Sequence, residues 1–424
     1  MLGGGRCVDG ARSCGHAIGT RAPGDVGAGR SRSRKRAVIE KAAGRAVPGK
    51  APRPSKTSTK GASRRVRLVA TVGLTRSKCL RKHCVSRISE LIDVNTSRFP
   101  LPARLLAVVA LATPLLAVPA PAPAAAATSA FRGVNWADAR DNYVDGWVIP
   151  TGLTAADSYA TVRSKADGIL TGFQQQIGAT TVRLPINPQS VNSDWWTRYK
   201  GTVDSALAHG MKVILSYWEA NKDGYVDDAT AWNTMWDTVT ADYGSNAAVY
   251  FEPMNEPFGY SLSAWVSLCS TWLARHSTIP RARIVISGTG YNDNVTGVGA
   301  ATALSGTVLS LHFYGFWNSY TTRAAWTADL SNRLGSYSSR TIIDEAGSPM
   351  TTGLLYTGAA NQDGNVFTSY LAATTDLTRA RGMGIVYWPG LRSGDTYSLT
   401  RQSGTGLAVN NASGVAQLRW GWGL

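Results

Sequence analysis

Two glutamates that each follow an apolar run have the residue type and the placement needed to cleave a glycosidic bond. Glu256 stands in Asn255-Glu256-Pro257 after the apolar run 248–254, and Glu345 stands at the end of the run 341–346. Paired carboxyl groups cleave glycosides because one protonates the leaving oxygen while the other attacks the anomeric carbon. The pair therefore predicts a glycosidase, provided that the fold brings the ends of the two runs together.

A buried charge is predicted in a third apolar run. Arg183 interrupts the run 180–186, which otherwise reads as a strand. A guanidinium removed from water requires an anionic partner, so Arg183 indicates an acid close by. We expect it to keep the attacking carboxylate ionised, whereas the other glutamate needs a less charge-stabilised environment in order to stay protonated.

Eight short apolar runs alternate with amphipathic segments along residues 129–424. The runs are rich in Val, Ile and Tyr and apolar on both faces, as strands covered on two sides must be. This alternation predicts fold class α/β, a (β/α)8 TIM barrel with a single catalytic domain. A doubly wound open sheet is the alternative, but no Gly-rich fingerprint follows the first run, which disfavours a nucleotide-binding version. The runs are 131–136, 180–186, 212–218, 248–254, 283–288, 308–314, 341–346 and 384–389.

The motifs at the ends of these runs resemble glycoside hydrolase family 5, the cellulase-like family of clan A retaining β-glycosidases. The resemblance covers essentially all of 129–424 and is specific as an ordered set, although each motif alone is weak. The matching motifs are Arg132-Gly133-Val134-Asn135-Trp136, Arg183, Asn255-Glu256-Pro257, His312-Phe313-Tyr314, Glu345 and Trp388.

The resemblance implies a retaining mechanism in which Glu256 is the general acid/base and Glu345 is the nucleophile. It implies that the reaction needs no metal and no cofactor. The other residues that it places at the site are Asn255 at the sugar 2-hydroxyl, Arg183 and Tyr314 in support of Glu345, His312 at the boundary of the cleavage subsite, Trp388 stacked under the sugar, and Asn135 and Trp136 of the opening motif as further substrate-binding positions.

One position departs from the family pattern. The third run usually ends in a His, whereas here Trp218 occupies that place and Glu219 adds an unexpected carboxylate. The assignment of the two catalytic glutamates is unaffected. We expect Trp218 to contact substrate and to reshape the pocket on the non-reducing side, and Glu219 to be a loop residue rather than a third catalytic acid.

The basic character of the chain is confined to its first part. The 424 residues carry a formal charge of +17, but residues 1–128 hold 24 Lys and Arg against 5 Asp and Glu, and residues 129–424 hold 20 against 22. The near-neutral balance of 129–424 argues against a nucleic-acid-binding protein. The composition of 1–93, rich in Gly, Ala, Ser and Arg, predicts disorder.

Residues 94–128 have the pattern of a secretory signal peptide. Arg98 and Arg104 precede an apolar run that begins at Leu105, is broken at Pro114 and is followed by Pro-Ala repeats and four alanines. The run is too short to span a bilayer. A signal peptide belongs at the N-terminus, so we expect translation to begin at Val94 and residues 1–93 to be a misannotated extension.

The sequence thus predicts a secreted, monomeric β-glycosidase that acts on β-linked glycans or glycosides, without a nucleic-acid partner or a membrane anchor after signal cleavage. Endo and exo action, release of a diglycoside, and hydrolysis and transglycosylation remain alternatives. The long segment 138–153 after the first run favours a closed pocket and therefore exo action. A barrel that binds sugar without cleaving it is the rival reading, disfavoured because both glutamates are present.

We predict that the exported protein begins near Thr128, because the small-residue pattern before it is typical of a cleavage site. N-terminal sequencing of protein recovered from the medium tests this. A peptide of the intracellular precursor that maps upstream of Val94 would contradict the predicted start.

Overall fold

The protein is described by a computed structural model over residues 128–141 and 143–424. The predicted extension 1–93, and all of the predicted signal segment 94–128 except Thr128, lie outside the described residues. Among those described, no helix is both long enough and apolar enough to cross a membrane.

Eight parallel strands form a sheet that closes into the predicted barrel. Its strand order is β4-β3-β2-β1-β8-β7-β6-β5, and a bridge between Phe251 and Ile284 connects the two edges. Each strand lies within a few residues of a predicted run, which confirms the (β/α)8 prediction. The strands are β1 Arg132–Trp136, β2 Thr181–Ile186, β3 Lys212–Tyr217, β4 Val249–Glu252, β5 Val285–Ser287, β6 Val308–Tyr314, β7 Thr341–Gly347 and β8 Ile385–Leu391.

Helices and helical turns connect the strands and cover the outside of the sheet. They are α1 Tyr159–Gly172, α2 Pro188–Val191, α3 Trp195–Ala208, α4 Ala229–Tyr243, α5 Leu262–Arg275, α6 Thr289–Asn292, α7 Thr296–Ala300, α8 Arg323–Leu334, α9 Val366–Arg381 and α10 Ala412–Gly421. The sequence analysis did not predict the antiparallel hairpin of β9 Thr400–Ser403 and β10 Gly406–Val409, which lies between β8 and α10.

Polar residues before the longer helices explain where those helices begin. Each accepts a hydrogen bond from a backbone N–H of the first turn, which would otherwise lack a partner. These residues are Ser158, Asp228, Ser261, Thr322, Asn365 and Asn411.

Two apolar layers hold the barrel together. One strand face fills the barrel interior with a cluster that includes Phe131, Ile214 and Val386, and the other face packs against the helices. Helix α5 buries Trp265, Cys269, Trp272 and Leu273 on its predicted face, whereas the predicted face residue Leu262 is 42% exposed. The carboxyl ends of the strands are left for polar residues.

Candidate active site

The two glutamates predicted to perform the chemistry meet at the carboxyl ends of β4 and β7. Glu345 lies inside β7, and Glu256 follows β4 by four residues. One carboxylate oxygen of each and a ring nitrogen of His312 all lie within 4.8 Å of one another. Residues 89 positions apart in the chain are thus in one cluster, which the fold achieves because parallel strands end at the same edge.

Glu345 is held by a cation on one oxygen and a phenol on the other. Arg183 donates from Nη1 to Oε1 at 2.6 Å, and the Tyr314 hydroxyl donates to Oε2 at 2.7 Å. Burial raises the pKa of Glu345 to about 7, although Arg183 and Tyr314 both lower it. The predicted contacts of Arg183 and Tyr314 with Glu345 are present in the structure.

Glu256 has an unusual backbone. Its φ of 49° lies in the left-handed region, which a residue with a side chain rarely adopts. Its N–H donates to Asn292 Oδ1 at 3.0 Å, and its Oε1 lies 2.9 Å from His312 Nδ1. Burial and then the charge of Glu345 raise the pKa of Glu256 well above the usual value for Glu. The charge of Glu345 therefore favours the protonated form of Glu256.

The guanidinium of Arg183 is fully buried beneath this pair and fully hydrogen-bonded. Glu252 accepts from Nε at 2.7 Å and from Nη2 at 2.9 Å, and Ser216 Oγ and Asn255 Oδ1 also accept from Nη2. Sequence analysis predicted an acid beside Arg183, and the structure provides both Glu252 and Glu345. Arg183 has no exposed surface, so it acts on Glu345 and not directly on a ligand.

Asn255 and His312 occupy positions next to the glutamates. Because the carboxamide oxygen of Asn255 accepts from Arg183, its amide nitrogen is directed away from the guanidinium. His312 is fully buried, and burial together with Arg183 lowers its pKa well below the usual value, so its ring is neutral.

A cavity of about 430 Å³ opens above the two glutamates. Aromatic rings form much of its wall, and a group of charged side chains forms the rest. The lining residues are Asp141, Glu256, Tyr291, Tyr314, Phe316, Trp317, Glu345, Trp388, Arg392, Asp395 and Tyr397.

Trp388 faces this cavity, and Trp218 lies behind it. Their rings pack with centroids 5.2 Å apart, and Trp218 is only 3% exposed. The expected direct contact of Trp218 with substrate is therefore wrong for this structure, because the Trp388 ring covers it. Glu219 accepts hydrogen bonds from the backbone N–H groups of Asp223, Gly224 and Tyr225, so it organises its own loop as predicted.

The structure also corrects the substrate-binding roles expected for Asn135 and Trp136. The Asn135 amide donates to the backbone oxygen of Asp344 at 2.9 Å, and its oxygen accepts from Arg183. Trp136 is fully buried in the core and donates to the backbone oxygen of Thr151. Both side chains are occupied by protein groups beneath the cavity, so they support the site without facing a sugar.

The segments that follow the strands bring further residues to the site, which no sequence motif indicated. Tyr291, Phe316 and Arg392 line the cavity, and Asn292 contacts Glu256. The available signal was their position shortly after β5, β6 and β8. Nothing in the strand pattern distinguished them from other loop residues, since loop paths do not follow a hydrophobic period.

Among the residues that the structure describes, two carboxylate–histidine groups have the spacing of metal ligands. These are Glu252 with His312 and Asp344, and Glu256 with His312 and Glu345. In the first group Glu252 already forms two hydrogen bonds with Arg183, a cation. In the second, Glu345 is bound by Arg183 and Tyr314. The guanidinium thus supplies the positive charge that a metal ion would bring to these carboxylates.

Solved structures share this architecture. An endocellulase from Pyrococcus horikoshii in complex with cellotetraose matches with a TM-score of 0.51 at 15% identity, over 69% of this chain and 92% of the endocellulase. Cel5A of Hypocrea jecorina (Trichoderma reesei) matches with a TM-score of 0.47 at 16% identity, over 68% and 97%. The catalytic domain of the Thermobifida fusca endoglucanase Cel5A matches with a TM-score of 0.47 at 16% identity, over 66% and 96%.

A search of curated proteins finds no match to this chain. A family model described as cellulase (glycosyl hydrolase family 5) matches residues 157–390, which is more than half of the sequence. The matched range begins just before α1 and ends in β8, so it includes both glutamates. The chain therefore belongs to glycosyl hydrolase family 5 and is a glycoside hydrolase.

Proposed function

We propose that this enzyme is a secreted β-glycosidase in which Glu345 is the nucleophile and Glu256 is the general acid/base. The separation of the two carboxylates carries the proposal. Retaining enzymes need about 5 Å between the carboxyl groups, and inverting enzymes need about 6.5–9.5 Å to admit a water molecule. One carboxylate oxygen of Glu256 and one of Glu345 lie within 4.8 Å of each other, and this close approach favours double displacement over inversion.

In the first step, a carboxylate oxygen of Glu345 attacks the anomeric carbon while the glycosidic bond breaks. Glu256 gives its proton to the departing oxygen, so the products of this step are an ester between the sugar and Glu345 and a neutral alcohol. The surroundings of the two carboxyl groups support these roles. Arg183 and Tyr314 lower the pKa of Glu345 and so favour its charged form, and the charge of Glu345 in turn raises the pKa of Glu256.

In the second step, water replaces the alcohol. Glu256 is now ionised and takes a proton from the water, whose oxygen attacks the anomeric carbon and displaces Glu345. Loss of the Glu345 charge on forming the ester removes one of the causes that raise the pKa of Glu256. Glu256 is therefore more readily ionised, and so able to accept a proton, in the step that needs a base.

The substrate class follows from the family and from the wall of the cavity. We infer a β-linked glycan or glycoside, consistent with the cellulase family model. Trp388 offers an apolar face for a sugar ring, and Tyr291 and Phe316 are further aromatic faces in the cavity wall. Sugar rings have apolar C–H faces that pack on aromatic rings.

A second candidate function is exo action with release of a mono- or disaccharide. It is favoured by a charged wall of the cavity, formed by Arg392, Asp395 and Asp141. Arg392, from the loop after β8, contacts Asp395 at 2.7 Å and Asp141, from the loop after β1, at 3.2 Å. The leaving group lies near Glu256, so the transferred sugar extends past Glu345 toward β8 and β1. We infer that this wall blocks a longer chain on that side and that its polar groups bind the hydroxyls of a terminal sugar.

Removing each glutamate should give a different glycosyl azide. With a 2,4-dinitrophenyl β-glycoside and added azide, Glu345→Gly should form the α-azide, because azide fills the place of the nucleophile. Glu256→Ala should form the β-azide, because azide attacks the ester from the face that water uses. Glu256→Ala should also lower kcat/KM for alkyl glycosides by about 10²–10⁴-fold.

Product configuration by proton NMR and rates by initial-velocity measurements test these assignments. Asp194→Ala, which removes an exposed carboxylate on the surface, is the control and should behave as the wild type. Near-wild-type rates in both glutamate variants would refute the proposed roles.

Tyr314→Phe should move the acidic limb of the pH profile to higher pH. The tyrosine hydroxyl donates to ionised Glu345, so it lowers the pKa of that carboxyl. Losing a hydrogen bond to a charged group, worth about 1.5–3 kcal/mol, raises that pKa by about one unit or more. The kcat/KM of the wild type should rise with pH through about 7 as Glu345 ionises. An acidic limb that stays in place in the variant would contradict this assignment.

Arg392→Ala should relax the restriction on chain length. We expect the wild type to release a mono- or disaccharide from the non-reducing end, and the variant to acquire internal cleavage of longer oligosaccharides, because the wall loses its central cation. Chromatography of the products from oligosaccharides of increasing length tests this. Arg401→Ala, on the hairpin of β9 and β10, is the matched control. Internal fragments from the wild type would show an open cleft instead.

A further inference from the structure

The fully buried side chain of Asn292 connects both parts of Glu256, its backbone and its carboxyl group. Asn292 Oδ1 accepts from the Glu256 N–H at 3.0 Å. Its Nδ2 lies 2.6 Å from Ser310 Oγ and 3.3 Å from His312 Nε2. His312 in turn reaches Glu256 Oε1 through Nδ1 at 2.9 Å. Asn292 thus touches Glu256 once directly and once through the imidazole.

The direction of each hydrogen bond in this group is determined. A backbone N–H can only donate, so the Asn292 atom that faces Glu256 must be the carboxamide oxygen. The atom that faces Ser310 and His312 is therefore the amide nitrogen, which has two protons and no acceptor capacity. One proton is directed to Ser310 Oγ, whose own hydrogen is donated to Asp344 Oδ1 at 2.6 Å. The other is directed to His312 Nε2.

This arrangement selects one tautomer of His312. A proton on Nε2 would face the amide protons of Asn292, and the Asp344 oxygen nearest to Nε2 is 3.7 Å away, too far for a hydrogen bond. Because the buried ring is neutral, its single proton belongs on Nδ1. Nδ1–H then donates to Glu256 Oε1 at 2.9 Å.

We propose that Asn292 is a positioning residue that fixes the tautomer of His312 and thereby assigns the catalytic proton of Glu256 to Oε2. Oε1 accepts from Nδ1–H, and an oxygen that faces this N–H does not carry the acidic hydrogen. Oε2 therefore carries the proton that passes to the leaving oxygen and receives the proton of the attacking water. The inference rests on the acid/base role proposed for Glu256.

Asn292→Asp tests the tautomer while preserving the backbone contact. Asp has nearly the same shape as Asn and also tolerates the φ of 54° found at this position. One carboxylate oxygen still accepts from the Glu256 N–H, but the other replaces the amide nitrogen and accepts a hydrogen bond. We expect His312 to move its proton to Nε2, so that Nδ1 becomes an acceptor and Glu256 carries its proton on Oε1.

The first readout is the tautomer itself in the full-length chain, labelled with ¹⁵N-histidine. Protonated and unprotonated ring nitrogens differ widely in ¹⁵N chemical shift, and the signal of His312 among the five histidines is the one that disappears in His312→Gln. The wild type should show a proton on Nδ1, and Asn292→Asp a proton on Nε2. A wild-type proton on Nε2 would overturn the inference, and this measurement needs no folded Asn292 variant.

The second readout is the dependence of kcat/KM on the leaving group. Asn292→Asp should lose at least about 100-fold on alkyl glycosides, which need the acid, and only a few-fold on 2,4-dinitrophenyl glycosides, which do not. Equal losses on both substrates would indicate a purely structural role and overturn the proposal. Asn365→Asp, which adds the same charge at the start of α9, is the control. If Glu256→Ala itself shows no leaving-group dependence, the proposed function fails; if only Asn292→Asp lacks it, this inference alone fails.

Discussion

The buried guanidinium of Arg183 is the interaction on which the active end of the barrel depends. It lies on β2 with no exposed surface, and its five N–H groups bind residues on or next to β1, β3, β4 and β7. An unpaired guanidinium at this depth would be strongly destabilising, and so would the carboxylates around it without their cation. Each strand that contributes a partner is therefore held in register with the others by the same charge.

Arg183 supplies one positive charge, which cannot balance all the carboxyl groups that surround it. The carboxyl groups in excess of that charge give the site its reactivity. Glu252, Asp344, Glu345 and Glu256 lie around Arg183, and His312 is neutral. Burial, followed by the charge of a neighbouring carboxylate, raises the pKa of both Asp344 and Glu256 well above the usual range. Burial and the neighbouring charges thus favour the protonated forms of these carboxyl groups, and a protonated form is the condition for a carboxyl group to act as an acid.

The strands and the central chemistry were predictable because their signals are local in the sequence. A charge inside an apolar strand requires an acid, and Arg183 has that acid in Glu252 and Glu345. The misassignment of Trp136 was avoidable: Asn135 pairs in register with Arg183 and shares its inward direction, so the next residue must point outward to the helices. Asn292, at the end of the short α6, and Arg392, after β8, were not predictable in this way, because irregular segments bring them to the site.

The two glutamates are held in different ways, and the difference matches what the reaction asks of each. Glu345 lies within β7 and pairs in register with His312 on β6, so the sheet itself fixes the position from which it attacks. Glu256 lies beyond the end of β4 with a left-handed backbone, outside the paired strands of the sheet. Glu256 must first give a proton and then take one, so its carboxyl group needs the same orientation in both steps. The hydrogen bond from its N–H to Asn292 of α6 and the contact of its carboxyl group with His312 of β6 supply that orientation. The acid is therefore positioned by side chains and not by pairing within the sheet.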